Sequence, residues 1–274
     1  MGPAYSGASA TPDLRSVTRQ RSFGTLRSVS ALVLREMATS YGKSPGGYIW
    51  ALLEPIAGIA LMSLVFSVMV RSPPLGINFP IFYATGMLPF VLYQSVSGKM
   101  TAAIMFSRPL LVYPSVTFVD ALIARFLLNF LTELLVSYIV FTGICLFFET
   151  RTSVDLPAIL LGFSMAAALA IGIGTMNCFL VSMFPLWQRA WSILTTPLMI
   201  ISCIFFTFDS VPEPFRSYLW YNPIIHIVGQ MRSGFYVTYD APYVSPLYIF
   251  GLGLVLTTLG LVFLRRYHRV ILNP

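Results

Sequence analysis

Residues able to do chemistry are scarce in this chain, and each candidate carries its own test. Gly42-Lys43-Ser44 has the ending of a phosphate-binding loop, whose lysine and hydroxyl would hold nucleotide phosphates and Mg²⁺. That loop also needs a glycine five residues earlier, where Met37 stands, and a strand before it. ATP binding through this motif is therefore not expected. His226 and His268 are the only histidines, and the topology derived below puts them on opposite sides of a membrane, which rules out a shared metal site or a histidine-based triad. Cys145, Cys178 and Cys203 sit inside apolar runs as small hydrophobes, so no disulfide or metal framework is implied. No catalytic residue, no metal site and no bound cofactor are expected.

Two acids remain. Glu54 and Glu133 interrupt long apolar runs, and an ionisable group in such a run is a functional candidate by default. Glu54, beside Pro55 near the start of its run, is predicted to pair with Arg35, Lys43 or a partner's cation. Glu133, with Asn129 and Thr132 nearby, is predicted to be a buried, hydrogen-bonded acid. A proton relay would need matching charges in the later runs, and none is there. The two acids are not expected at a common depth, which disfavours an acid–base pair.

The elements that hold these residues follow from composition. The chain has 274 residues, of which 57% are hydrophobic and 10% charged, with a mean hydropathy of +0.78; soluble domains carry about 25% charged residues. The runs 48–70, 72–98, 126–148, 156–188, 190–208 and 241–264 each match the length of about 19 residues that crosses a bilayer as a helix. The predicted fold is an all-α integral membrane protein with six transmembrane helices. Of the lysines and arginines, thirteen fall on the side of the termini and four (Arg71, Arg151, Arg216, Arg232) on the other, which predicts cytoplasmic termini. The net charge of +7 is then an orientation signal, and no nucleic-acid partner is implied.

Residues 1–25, polar and without an apolar core, are predicted to be a disordered cytoplasmic tail and no cleavable signal. Over 26–44, Leu26, Val29, Val33, Met37 and Tyr41 follow helical spacing, with Arg27, Ser30 and Glu36 elsewhere, so an amphipathic helix along the membrane face is expected. The six-span domain would occupy 45–274. The cytoplasmic connection after Gly98 should contain a short helix stopped by Pro109, a length suited to docking. The small residues Gly162, Ala166, Ala170, Gly174, Cys178 and Ser182 mark a helix seam, within one subunit or between two.

Between spans 5 and 6, "WYNPIIHIVGQMRSGFY" (220–236) is apolar but broken by Pro223, His226 and Arg232. Two half-helices joined at Asn222-Pro223 and dipping back into the outer leaflet are expected, a re-entrant pair acting as a cap; an ordinary surface hairpin is the alternative. Aromatic residues gather at this outer side. Tyr83, Phe205, Phe206 and Phe208 either form an interfacial belt or line an exit for sugar rings, and Arg216 and Arg232 are expected outside, where they would attract an anionic chain.

Four stretches together carry a resemblance: "ALVLREMATSYGKSPGGYIWALLEP" (31–55), "IARFLL" (123–128), "ISCIFF" (201–206) and "SYLWYNPIIHIV" (217–228). In this order the chain resembles the membrane subunit of ABC-2-type exporters, most closely the capsular-polysaccharide permeases of Gram-negative bacteria (the KpsM/BexB/CtrC group). The resemblance implies an inner-membrane homodimer, paired with a cytoplasmic ABC ATPase dimer that binds the ATP and Mg²⁺. It implies a lipid-linked polysaccharide as cargo, with periplasmic adaptor and outer-membrane export proteins completing its route. It places Leu34, Arg35 and Glu36 on the cytoplasmic interface helix, Ser107, Arg108 and Pro109 in the segment that docks on the ATPase, and Trp220, Tyr221, Asn222, Pro223 and His226 in the re-entrant gate. Export of O-antigen, teichoic acid or a small molecule is a neighbouring function; a membrane-embedded transferase or a proton-coupled transporter would be a different class.

Overall fold

The computed structural model describes residues 24–40, 47–69, 72–110 and 116–272. Most of the predicted tail, Tyr41, Lys43 and the Gly42-Lys43-Ser44 motif lie outside them, as does Arg71. The described residues form ten α-helices and one 3-10 turn, without strands. In chain order the helices are α1 (Gly24–Ser40), α2 (Gly47–Met69), α3 (Phe79–Thr101), α4 (Ala103–Ser107), α5 (Phe118–Phe147), α6 (Leu156–Met183), α7 (Pro185–Ile201), α8 (Phe215–Leu219), α9 (Pro223–Phe235) and α10 (Pro246–Leu272). Four of them, α2, α5, α6 and α10, are long and apolar enough to cross a membrane. This is a multi-pass helical membrane protein.

Local chemistry sets the helix starts. Thr117 caps α5 by accepting from the Asp120 N–H at 3.2 Å, while the Asp120 carboxylate accepts from the Thr117 N–H at 2.9 Å; this reciprocal box satisfies two amides that have no partner within the helix. Asp155 and Asn222 cap α6 and α9, each followed by a proline at the first helical turn, where a missing N–H costs nothing. The predicted boundary between the fourth and fifth spans shifts. The chain breaks at Phe184, so Arg189 lies inside α7 and not in a loop. The Trp187 indole donates to Asn177 Oδ1 at 2.9 Å and staples the start of α7 back onto α6.

α3 and α6 form the centre, with α5, α9 and α10 packed around them and α2 on the flank of α3 and α5. The small-residue seam of α6 is internal to the subunit. A β-carbon on Gly162 would come within 3.3 Å of Met231 on α9, and one on Gly174 within 2.7 Å of Met100 on α3. In lipid, where packing drives helix association, such close approach is the main source of cohesion. α1 and α4 gather at the α6 end that holds Cys178, and α9 covers the opposite end, at Ile159.

The buried face of α1 differs from the predicted stripe. Val29 and Leu32 pack on Ala124 of α5, with Glu36 one turn further on the same face, whereas Leu26 and Met37 point outward. The reason is a buried cation that claims Glu36, described next.

Candidate functional site

At the end where α1 and α4 lie, Arg125 of α5 is 5% exposed and touches α1, α3 and α4. Its Nε stands 3.3 Å from the Glu36 carboxylate of α1. Its Nη1 donates to the Lys99 carbonyl of α3 at 2.7 Å. Its guanidinium lies 4.2 Å from the centre of the Phe106 ring of α4, which Arg35 also approaches at 5.1 Å. Asn129 completes the set, donating to the Arg125 carbonyl at 2.7 Å and to Glu36 Oε1 at 3.4 Å. Rigid arginine suits this role, since one planar group can serve several acceptors and an aromatic face together. Glu36 is thus no surface contact: of the three interface-helix candidates only Leu34 is exposed, Arg35 being half-buried and Glu36 3% exposed. Ser107 is buried, while Arg108 and Pro109 project from the end of α4.

Of the two intramembrane acids, Glu133 has surroundings other than those expected, and Lys43, one of the cations expected near Glu54, lies outside the described residues. Asn129 and Thr132 do not serve Glu133, because Asn129 is engaged above and the Thr132 hydroxyl donates to Leu128 O at 2.8 Å. Ser95, Glu54 and Lys99 belong to the electrostatic surroundings of Glu133. Glu54 is exposed on α2 and forms no ion pair among the described residues.

Between α3 and α7 lies a cleft of about 220 Å³, which sequence reasoning missed. Phe90, Tyr93, Gln94 and Ser97 line one wall; Gln188, Trp191, Ser192 and Thr195 line the other. Amides and hydroxyls alternate with aromatic rings there, a lining able to meet hydroxyl groups and apolar ring faces. The signal was present in the sequence: a polar residue or aromatic ring recurs at 188, 191, 192 and 195, the helical spacing of one face. None of the residues of α7 is buried in the single subunit.

Above the cleft, Tyr83 of α3 is packed among Phe66, Phe79, Phe82 and Phe205 with ring centres 5.3–6.2 Å apart, and closes the space between α2, α3 and the turn after α7. Tyr83 and Phe208 are buried, at 1% and 5% exposure, and Phe206 is half-buried. The Phe208 ring lies tilted with its centre 4.2 Å from that of Tyr243 and packs with Ile225 of α9.

Two helices, α8 and α9, flank Asn222-Pro223. Asn222 Oδ1 accepts from the Ile224 N–H at 3.0 Å, and its amide donates to Ser202 Oγ at 3.1 Å, tying the start of α9 to the end of α7. His226 is fully buried. Its Nδ1 accepts from the Ser245 N–H at 3.1 Å, so Nε2 carries the proton and donates to Trp220 O at 2.8 Å. Burial holds its pKa below the ordinary imidazole range and keeps the ring neutral. The Trp220 indole donates to Tyr243 O at 3.1 Å and stacks on Tyr248, whose hydroxyl donates to the carbonyl of exposed Tyr221 at 2.9 Å. Arg216 folds back to the Val211 and Asp209 carbonyls at 2.9 and 2.8 Å and borders an open hollow of about 350 Å³.

Arg232, expected to be exposed on the outer side, is instead buried. It is 1% exposed, donates from Nη1 to Phe206 O at 2.9 Å and from Nη2 to Ile204 O at 2.8 Å, and covers the Phe82 ring at 4.3 Å. It holds the unwound turn after α7, where Cys203 adopts a φ of +56° that non-glycine residues seldom take. Gly86 of α3 permits this turn, since a β-carbon there would stand 3.2 Å from Ile204 Cα.

A helical membrane protein with paired helices at both ends of its bundle and a cleft of mixed aromatic and polar lining on one flank is the class defined so far. The match to the ABC-2 type transporter family over residues 27–236 narrows it: the chain belongs to that family. It is 32% identical over 245 residues to the polysialic acid transport protein KpsM of Escherichia coli, with 89% of this chain and 95% of that protein covered. It is 25% identical to the capsule polysaccharide export inner-membrane protein CtrC of Neisseria meningitidis and 24% to BexB of Haemophilus influenzae, covering 89% of this chain and 92% of each.

Proposed function

We propose that this chain is the inner-membrane permease subunit of an ATP-driven exporter of lipid-linked capsular polysaccharide. The similarity to capsule export permeases along 89% of the chain carries this function. α3 and α7 join the four apolar helices as spans, giving six, with both termini cytoplasmic in keeping with the charge asymmetry. Two copies face each other, and a separate ATPase dimer supplies hydrolysis, with ATP and Mg²⁺ held there. Periplasmic adaptor and outer-membrane export proteins receive the polymer.

The polymer runs along the α3–α7 cleft, where Tyr93 and Trp191 offer ring faces and Gln94, Gln188, Ser192 and Thr195 offer exchangeable hydrogen bonds. Weak, repeated contacts favour sliding over capture. The Phe66–Tyr83–Phe205 cluster closes the upper end, and α8 and α9, dipping back as a re-entrant pair, hold the turn that carries Phe205. The exposed Arg108-Pro109 corner and Leu34 meet the ATPase. Arg125, bonded to α1, α3 and α4 together, converts their displacement into a tilt of α5 and α3. Arg216, at the hollow on the outer side, greets an anionic chain.

Reconstitution in proteoliposomes with the ATPase partner tests the proposal. Lipid-linked polysaccharide should raise ATP hydrolysis and appear on the far side of the bilayer. Replacement of Ser107, Arg108 and Pro109 by alanine should leave the basal hydrolysis of the ATPase intact and abolish its coupling to export. Normal export in that variant, or labelling of residues 99 and 108 from the periplasm, would remove the assignment.

A further inference from the structure

We infer that a phospholipid of the surrounding bilayer is held on the α2–α5 flank, with one acyl chain in the groove between these helices and its phosphate in a polar chamber beyond the end of α5.

The groove is built by membrane helices. Ile56 and Ala60 of α2, Ile139, Gly143 and Phe147 of α5 and Pro80 of α3 line a recess of about 360 Å³, and its other lining residues are apolar too. Gly143 leaves it open, since a β-carbon there would meet no atom within 4 Å. Ile56, Ile139 and Phe147 are exposed on helices long and apolar enough to cross a membrane, so acyl chains are the medium they face. An apolar recess stays dry, and hydrocarbon gains contacts by filling it.

The chamber adjoins the recess. α3 begins at Phe79 and α5 ends at Phe147, and just beyond both ends the Asn78 side-chain amide donates to the Glu149 carbonyl. On the helix side of this bond lie Pro80 and Phe148 of the recess; on the other lie Ile77 and Thr150 of a second cavity, of about 300 Å³. Phe148 and Thr150 are two residues apart, so at most about 7 Å of chain separates the two linings.

The second cavity is polar. Thr150, Arg151, Ser153 and Tyr236 line it together. Arg151 is exposed and has no ion pair among the described residues. Tyr236 is 6% exposed, and its hydroxyl has no hydrogen-bond partner. That hydroxyl stands at the chamber wall: a β-carbon on Gly76, another lining residue, would come within 3.4 Å of it. One guanidinium among hydroxyls, next to an apolar groove, matches a phosphodiester and its chain. A second copy of this chain would account for the groove alone. The site shares no lining residue with the α3–α7 cleft, so the occupant is assigned to the bilayer and not to the cargo. Only the leaflet, the outer one, rests on the orientation proposed above; the site itself stands without the export function.

Dioleoyl phosphatidylglycerol titrated into the full-length protein in maltoside micelles should raise its thermal midpoint saturably. Dioleoylglycerol, which lacks the phosphate, and glycerophosphate, which lacks the chains, should not. Gly143→Phe, whose ring fills the recess, should abolish the saturable rise. Arg151→Gln should weaken the apparent affinity about fivefold, the worth of one basic residue beside a lipid head. Tyr236→Phe should weaken it about three- to tenfold, the worth of one hydrogen bond. Should Gly143→Phe fail to fold, the location is read on the native chain: phosphatidylglycerol with a diazirine midway along one acyl chain should label α5 around Gly143 in preference to the exposed Leu254 and Leu259 of α10. Even labelling of α5 and α10, an equal rise from dioleoylglycerol, or unchanged affinity in both Arg151→Gln and Tyr236→Phe would overturn the site. So would a Gly143→Phe variant that splits a dimer into protomers, because a second copy would then be what fills the groove.

Discussion

Arg125 and Arg232 are buried at opposite ends of one helix bundle, and they are neutralised in different ways. Arg125 meets a full carboxylate, Glu36, delivered by another helix. Arg232 meets only the Ile204 and Phe206 carbonyls and a phenylalanine face. A carboxylate partner locks two helices, because separating them strands two charges. Carbonyls of an unwound turn make a softer anchor. The contrast is between a stiffer end, where a charge pair ties α1 to α5, and a softer end, where α9 is tied to the turn after α7 through carbonyl dipoles.

The sharpest way to break this comparison is to remove each cation in turn. Arg125→Met leaves Glu36 buried and unpaired, and should destabilise the protein by about 3–5 kcal/mol in chemical denaturation. The pair Glu36→Leu with Arg125→Met should recover most of that loss, since neither charge remains. Arg232→Met leaves two carbonyls without a donor and should cost roughly 2–4 kcal/mol in the same assay. An equal cost at both sites, with no recovery in the double variant, would erase the distinction.

Smaller changes sharpen it. Gly86→Ala pushes a β-carbon to 3.2 Å from Ile204 Cα, beside the Arg232 turn, and should cost roughly 1–3 kcal/mol by overpacking. Asn222→Ala removes the cap of α9 and its tie to Ser202, a loss of about 1 kcal/mol. Its thermal shift should come with faster proteolysis near Trp220 and no change around Arg125. Arg216→Ala lies at the weak end. Its pair with Glu213 is 4.0 Å long and substantially exposed, so stability should stay within about 0.5 kcal/mol. Any fall in export then reports a role toward the cargo.

Much of the framework was legible because lipid imposes a simple code: long uncharged runs become helices, prolines mark the breaks, and asparagine before proline announces a helix start. The short helix before Pro109 and the junction at Asn222-Pro223 were both read this way. The misplaced residues share one cause, the treatment of a charge as a surface marker. Glu36 and Arg232 were put on polar faces because burial of an ion needs a partner, and the partners lie 89 residues away for Glu36 and at backbone carbonyls for Arg232. Backbone acceptors leave no trace in a sequence. The polar face of α7 was visible in principle, but its facing wall on α3 was not.

Composition and patterning alone determined that this chain is a multi-pass helical membrane protein, because the cost of burying backbone and charge in lipid is paid locally, residue by residue. Which helix face turns inward, which arginine finds a carboxylate and which is left with donors to spare were decided only when distant segments met. Those outcomes depend on distances between side chains, and no local pattern encodes them.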